Sequence, residues 1–198
     1  MKHFLILTTM AILFSSCSEH KLEPSSEVQK NWHQIMANNI NDNSTALFAD
    51  DWAIITAGTP EKFNMMTASW GCLGNLWNKP VALCFVRPQR YTFEFTERED
   101  NYTLTFFDEN YRDKLQYLGT VSGRDEDKVK GSGFTPKILP SGNISFEEAR
   151  LIIECKKIYV DFFHEINFMD TTIIPNFYST KDFHRIYIGE ITNVWEKK

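Results

Sequence analysis

From Leu47 onward the chain is written in compact apolar segments divided by turn residues. Residues 52–57 read as a strand ended by Gly58-Thr59-Pro60. Residues 64–71 and 81–86 read as two more, joined through an Asn78-Lys79-Pro80 turn. The stretches 102–107, 151–159 and 185–195 are also rich in strand formers. Helices fit best at 91–99, 110–118 and 125–130. Strands outnumber helices and do not alternate with them, which predicts a mainly β protein, a closed antiparallel barrel with short helices rather than a parallel sheet. Ahead of the barrel, residues 18–31 are polar and read as a tether. Residues 32–40 read as a short helix, broken by Asn41-Asp42-Asn43-Ser44.

The N-terminus follows a different plan. Lys2 and His3 precede an apolar stretch, residues 4–14, that meets Ser15-Ser16-Cys17. A charged start, a short apolar run and small residues before a cleavage point make a secretory signal. A cysteine directly after two small residues resembles a bacterial lipoprotein signal, with Phe14 departing from the usual aliphatic. That resemblance implies acylation at Cys17 and a place in the bacterial cell envelope, exported and held to the membrane by lipid alone. A plain signal peptide with a chance cysteine fits the same residues. The expected division is a signal at 1–16, tether and short helix at 17–45, and one domain at 46–198.

Composition narrows the classes. Hydrophobic residues are 42% of 198, enough for a core, which excludes wholesale disorder. The 21 Lys and Arg against 26 Asp and Glu leave a net charge of −5, which argues against a nucleic-acid partner. No apolar run reaches about 18 residues, the length a spanning helix needs. With 5 Trp, 7 Tyr and 16 Phe the chain suits a small barrel or a pocket for flat ligands, and composition does not choose between them. Past Cys17 stand Cys72, Cys84 and Cys155, an odd number that gives no disulfide framework. Cys72 and Cys84 pair only if their strands are neighbours. No Cys/His cluster has zinc spacing, so no metal is expected.

Gly131-Ser132-Gly133 fails as a dinucleotide fingerprint, since Pro136 stands at the third glycine and no strand precedes it. Thr67-Ala68-Ser69-Trp70-Gly71 lacks the first glycine of a nucleophile elbow. What remains is the segment Asn64-Met65-Met66-Thr67-Ala68-Ser69-Trp70-Gly71, followed by Arg87-Pro88-Gln89-Arg90-Tyr91-Thr92 at a strand-to-helix junction. A phosphate ester needs cationic forks, hydroxyls and free backbone N–H groups, and Arg87, Arg90 and Thr92 offer all three. A flat heteroaromatic ring needs an apolar wall with polar groups along its edge, and the first segment supplies one, with Thr67 and Ser69 facing the ligand. Surface arginines around a turn and ordinary core strands account for the same residues equally well.

These segments resemble the flavin reductase-like family of FMN-binding split barrels, especially its flavoredoxin-type branch. The resemblance runs through Trp52-Ala53-Ile54-Ile55-Thr56-Ala57-Gly58, residues 63–70, residues 87–92 and Ser122-Gly123-Arg124-Asp125 with Asp127-Lys128. It continues through Glu148-Ala149-Arg150, Glu154-Cys155-Lys156, Asp182-Phe183-His184-Arg185 and Gly189-Glu190-Ile191. It implies a six-stranded antiparallel Greek-key barrel, a homodimer and bound FMN. Asn64, Thr67, Ala68, Ser69 and Trp70 would line the isoalloxazine and ribityl chain. Arg87, Arg90, Tyr91 and Thr92 would hold the phosphate, with Ser122, Arg124 and Lys128 as a third contact group. His184 is the candidate for proton delivery, an imidazole whose ordinary pKa lies near 6.5.

The compartment sets a tension. Cytoplasmic flavin reductases take hydride from NADH or NADPH, and an exported lipoprotein meets little of either. The expected function is an FMN-binding oxidoreductase with an unidentified electron donor or acceptor; the alternative is a non-enzymatic, membrane-anchored flavin-binding protein.

Overall fold

Eight of the ten strands among the described residues pair into one antiparallel sheet. The protein is seen here as a computed structural model that describes residues 31–198; the signal-like segment, Cys17 and the tether up to residue 30 lie outside the described residues. The strands are β1 (Trp32–Ile35), β2 (Ala53–Thr59), β3 (Lys62–Ala68), β4 (Gly71–Leu76), β5 (Lys79–Val86), β6 (Asn101–Phe106), β7 (Pro136–Ile138), β8 (Ile144–Phe146), β9 (Leu151–Phe162) and β10 (Arg185–Lys197). The sheet order is β3-β2-β6-β9-β10-β5-β4, with β1 also on β10, while β7 and β8 form a separate hairpin. Its two ends, β3 and β4, are consecutive in the chain and joined only by Ser69 and Trp70. A link that short forces the sheet to curl until its edges meet, giving a barrel with one seam. The six expected strands are β2, β3, β5, β6, β9 and β10.

Three expectations need correction. Residues 64–71 are not one strand: β3 stops at Ala68 and β4 starts afresh at Gly71. The turn before β5 is Trp77-Asn78, with φ of 54° and 58°, the double positive φ of a tight hairpin, and Lys79 and Pro80 already belong to the strand. Gly-Cys-Leu-Gly-Asn-Leu has weak strand propensity, so β4 rests on its pairing with β5 rather than on its own residues. Finally, Trp32–Ile35 is a strand, not the start of a helix. β5 covers one edge of β10 only from Arg185 to Glu190, and β1 covers Val194 to Lys197 on the remainder. That placement buries Trp32 to 4% exposure, with Lys137 and Lys197 over its ring.

Strand alternation sorts side chains into two cores. Ile55, Leu104, Phe106, Ile153, Cys155, Cys84 and Tyr187 fill the barrel. Ile54, Met65 and Ile152 point outward against Leu115, Leu118, Phe134 and Phe146 of the covering elements. Among those elements are α3 (Arg112–Thr120) and α4 (Lys128–Ser132); the other helices are α1 (Ser44–Ala46), α2 (Tyr91–Arg98), whose Phe95 packs into the barrel core, and α5 (Ile173–Phe177). β10 carries register shifts at Ile188/Gly189 and Ile191/Asn193, bends that help close the barrel. Gly189 sits under Tyr102, where a Cβ would lie 2.5 Å from the hydroxyl, so no larger residue fits that bend. Cys72 pairs opposite Leu83 while Cys84 pairs opposite Gly71. The one-residue offset puts the two thiols on opposite faces of the hairpin, and both are free.

Candidate functional site

The seam of the barrel and the start of α2 lie side by side. A cleft of about 400 Å³ is lined by Thr67, Ala68, Ser69, Trp70, Arg87, Arg90 and His184, together with Met66, Phe85 and Gln89. Met66, Gln89 and Arg90 also border a narrower recess of about 120 Å³, so the two are continuous. Asn64, Tyr91, Thr92, Ser122, Gly123 and Lys128 complete the recess. The structure thus brings eleven of the twelve expected binding residues, and His184, to one groove.

The narrow end is cationic and rich in free donors. α2 begins at Tyr91 with Arg90 as its N-cap, and no side chain caps it. The first-turn N–H groups of a helix have no carbonyl four residues back and carry its positive end. Thr92 is 1% exposed and its Oγ1 accepts a 2.8 Å hydrogen bond from Asn64 Nδ2, tying β3 to this turn. Arg90 donates to the Gly119 carbonyl, and Lys128 Nζ donates to the Leu118 carbonyl at 2.7 Å. Neither cation has a carboxylate partner among the described residues. Burial, and then the charge of Arg87, lowers the Arg90 pKa. Burial, and then the charge of Arg90, brings Lys128 down to about 8. A buried ammonium and a half-buried guanidinium that repel each other, with no carboxylate partner among the described residues, make a receptor suited to an anion.

Other expected contacts do different work. Arg124 lines neither part of the groove: it pairs with Glu94 at 2.6 Å, donates to the Gln89 carbonyl at 3.0 Å and lies over the Tyr91 ring. It pins the loop before α4 to the start of α2. Arg87 stands at the wide end, paired with Asp182 at 2.6 Å and donating to the Phe177 carbonyl at 2.9 Å, away from the recess that holds Lys128. Thr67 shares the outward face of β3 with Met65, and its hydroxyl donates to the Leu115 carbonyl at 2.5 Å while the side chain borders the cleft. Gly123 packs against this strand: a Cβ there would collide with Asn64 Oδ1.

The wide end is aromatic. Trp70, 41% exposed, packs edge-on against Phe177 and lies 5.1 Å from the His184 ring. His184 is buried, with Nδ1 2.8 Å from the Tyr178 hydroxyl. Burial first, then the charge of Arg87, lowers its pKa to about 4, against a smaller opposing effect of Asp182. Against the ordinary imidazole value near 6.5, this keeps His184 neutral at neutral pH. The Asp182 carboxylate is held well below its usual range, chiefly by the Thr180 hydroxyl and then by Arg87 and Gln89. Gln89, Asp182 and Tyr178 were missed as site residues: Gln89 and Asp182 stand inside the Arg87–Thr92 and Asp182–Arg185 blocks without a role, and Tyr178 stands in none. No group of metal-ligating side chains occurs among the described residues.

The sequence matches the family described as flavin reductase like domain over residues 45–198. Among solved structures, the fold is similar to an FMN-binding protein from Thermus thermophilus, with TM-score 0.59 and 21% identity over 73% of this chain and 69% of that one. It is also similar to flavoredoxin from Methanosarcina acetivorans, with TM-score 0.57 and 20% identity over 75% and 69% of the two chains. An FMN-binding domain of a flavin reductases-like enzyme from Shewanella baltica gives TM-score 0.59 at 15% identity, covering 84% of this chain and 77% of that one. No curated protein matches the sequence. The chain belongs to the flavin reductase like family.

Proposed function

From this family membership we propose that the chain is an FMN-binding oxidoreductase, working as a flavin reductase or as an electron carrier of the flavoredoxin type. The observation that carries the reading is the groove with an aromatic slot at one end and two unpaired cations at the other. The residues fit the group. Arg90, Lys128, Ser122, Thr92 and the backbone at the start of α2 would hold the phosphate. Met66, Ala68, Ser69, Trp70 and Phe85 would wall the ring, with Asn64 and Gln89 between the two ends. Arg124 acts by holding the loop that carries Ser122.

Bound FMN supplies hydride or single-electron transfer, and the protein positions it and tunes it. Arg87 is already neutralised by Asp182, so its task at the wide end is to fix Asp182 and Phe177 around the ring slot. Its charge also helps keep His184 neutral. A neutral imidazole offers a hydrogen bond to a ring edge, whereas imidazolium acid chemistry at pH 7 is disfavoured.

The protein works as a homodimer and is exported, with acyl chains on Cys17 holding it at the cell envelope through lipid alone. Among the described residues no helix is long and apolar enough to cross a membrane. The test of the central reading is titration of the purified protein with FMN, followed by flavin fluorescence and the visible spectrum. Saturable uptake of one FMN per chain supports it; a protein that takes up none overturns it. Bound FMN that no reductant can reach would turn the reading toward flavin capture.

A further inference from the structure

Tyr178 and His184 meet at the wide end of the groove, with the phenol oxygen 2.8 Å from Nδ1. Both are buried, Tyr178 to 3% exposure and His184 to 8%. The chain between β9 and β10 folds a wall of rings around the tyrosine. Phe183 lies 5.0 Å from it, Phe168 5.7 Å and Phe163 6.5 Å. The Arg87 guanidinium stands 5.3 Å over its face. Packing of this kind holds the ring in one orientation. The Tyr178 hydroxyl makes no other hydrogen bond among the described residues.

The placement of the hydrogens follows from that isolation. Burial is the first cause that raises the Tyr178 pKa, so the phenol keeps its hydrogen at neutral pH. His184 is neutral there, so one ring nitrogen carries a hydrogen and the other a lone pair. A hydrogen on Nδ1 would be donated to the phenol oxygen, and the buried O–H would then have no acceptor. A lone pair on Nδ1 accepts from the phenol and satisfies both groups. The second arrangement is favoured about tenfold or more. It puts the imidazole hydrogen on Nε2. That atom makes no hydrogen bond among the described residues and, unlike Thr56 Oγ1, is not sealed from solvent. His184 borders the flavin cleft, whereas Tyr178 borders the cavity on its other side, so the open nitrogen faces the cleft. Trp70, 5.1 Å from the imidazole, flanks the same slot.

We propose that Tyr178 is a positioning residue that locks His184 as its Nε2–H tautomer and so makes the imidazole a fixed hydrogen-bond donor into the ring slot. What receives the hydrogen bond rests on the flavin reading above: an acceptor atom on the edge of the flavin ring. A donor held in place before the ring arrives loses little freedom on binding.

The test is NMR of the full chain carrying nitrogen-labelled histidine, with two-bond proton–nitrogen correlations at neutral pH. FMN-free protein should show His184 with a hydrogen on Nε2 and none on Nδ1. The opposite tautomer overturns the proposal, whatever FMN does. Added FMN should shift the Nε2 resonance, and FMN that binds without moving it overturns the donor role. If the protein takes up no FMN, the flavin reading falls, and the Tyr178 assignment stands or falls on the tautomer. Tyr178→Phe keeps the ring and removes the hydroxyl. It should let the Nδ1–H form appear and weaken FMN binding about threefold. In the His184→Ala background the same change should leave FMN affinity where it was. Equal losses in both backgrounds, or an unaltered His184 spectrum in Tyr178→Phe, would make Tyr178 a packing residue only and overturn the proposal. Should Tyr178→Phe fail to fold, the wild-type tautomer still decides.

Discussion

Arg90 and Lys128, 38 positions apart in the numbering, donate to consecutive carbonyls, Gly119 and Leu118, on the last turn of α3. Among the described residues, the negative end of that helix is what balances them. A phosphate placed between them would supply the missing counter-charge. Arg90→Ala should therefore weaken FMN binding by about 1.5–3 kcal/mol, the scale of a charge-assisted hydrogen bond. Lys128→Met should cost a similar amount. FMN fluorescence titration of each variant reads this directly, and affinities unchanged in both would remove the phosphate assignment.

The same lysine gives a pH dependence. Its pKa falls from 10.5 to about 8 on folding, so between those values the unfolded chain binds more protons than the folded one. Stability of the FMN-free protein should then rise with pH across this window, by at most about 3 kcal/mol. Affinity for FMN should move the other way, falling above about pH 8 as the ammonium is lost. Urea melts and FMN titrations at pH 7 and pH 9.5, compared with Lys128→Met, separate the two trends; the variant should flatten both.

Gly123 tests the fit between loop and strand. A Cβ there collides with Asn64 Oδ1, and Asn64 is what ties β3 to Thr92. Gly123→Ala should shift Asn64, loosen the first turn of α2 and cost about 1–3 kcal/mol of stability, as overpacking does. FMN affinity should drop with it. A variant with wild-type melting and wild-type affinity would show that the loop yields without consequence.

Much of this was legible in the chain. Five of the six expected barrel strands announced themselves through β-branched and aromatic runs, β3 was legible only as an apolar segment whose end was misplaced, and Arg87-Pro88-Gln89-Arg90-Tyr91-Thr92 marked the junction that builds the recess. What escaped has physical reasons. β1 and β4 are strands by pairing, not by propensity: Trp32-His33-Gln34-Ile35 is held by the free edge of β10, and Gly71 to Leu76 by β5. The partners of Arg87 and Thr67 depend on contacts between residues 95 and 48 positions apart, which no local pattern encodes. The aromatic wall from Phe162 to Tyr178 was missed because irregular loop text has no period, so its rings become a wall only once the barrel places them.

Acylation of Cys17 is read from sequence, since the residue lies outside the described part of the fold. Growth with a labelled fatty acid should tag the wild type and leave Cys17→Ser unlabelled. Equal label on both, or on neither, would end the lipoprotein reading and leave a plain secreted protein.

His184 makes the sharpest demand on mechanism. Its pKa of about 4 in the folded protein lies below the unfolded value of 6.5, so the unfolded chain binds more protons between them. The sign follows: stability is full above about pH 6.5 and declines as pH falls toward 4, by about 3 kcal/mol at most. His184→Ala should remove that decline while losing the Tyr178 contact and the packing against Trp70. Arg87→Ala should raise the His184 pKa, because one of the charges that depresses it is gone, yet leave it below 6.5, because burial is the larger cause. Proton NMR of the imidazole reads both shifts. The kinetic consequence is that flavin reduction by dithionite should show no inflection near pH 6.5, and His184→Ala should change the rate per folded molecule by well under 10-fold. An imidazolium acid would instead lose about 10²-fold or more in that variant and impose an inflection at its own pKa. Stopped-flow rates from pH 5 to 8 on FMN-loaded protein therefore decide whether His184 delivers a proton or holds the wide end of the groove together.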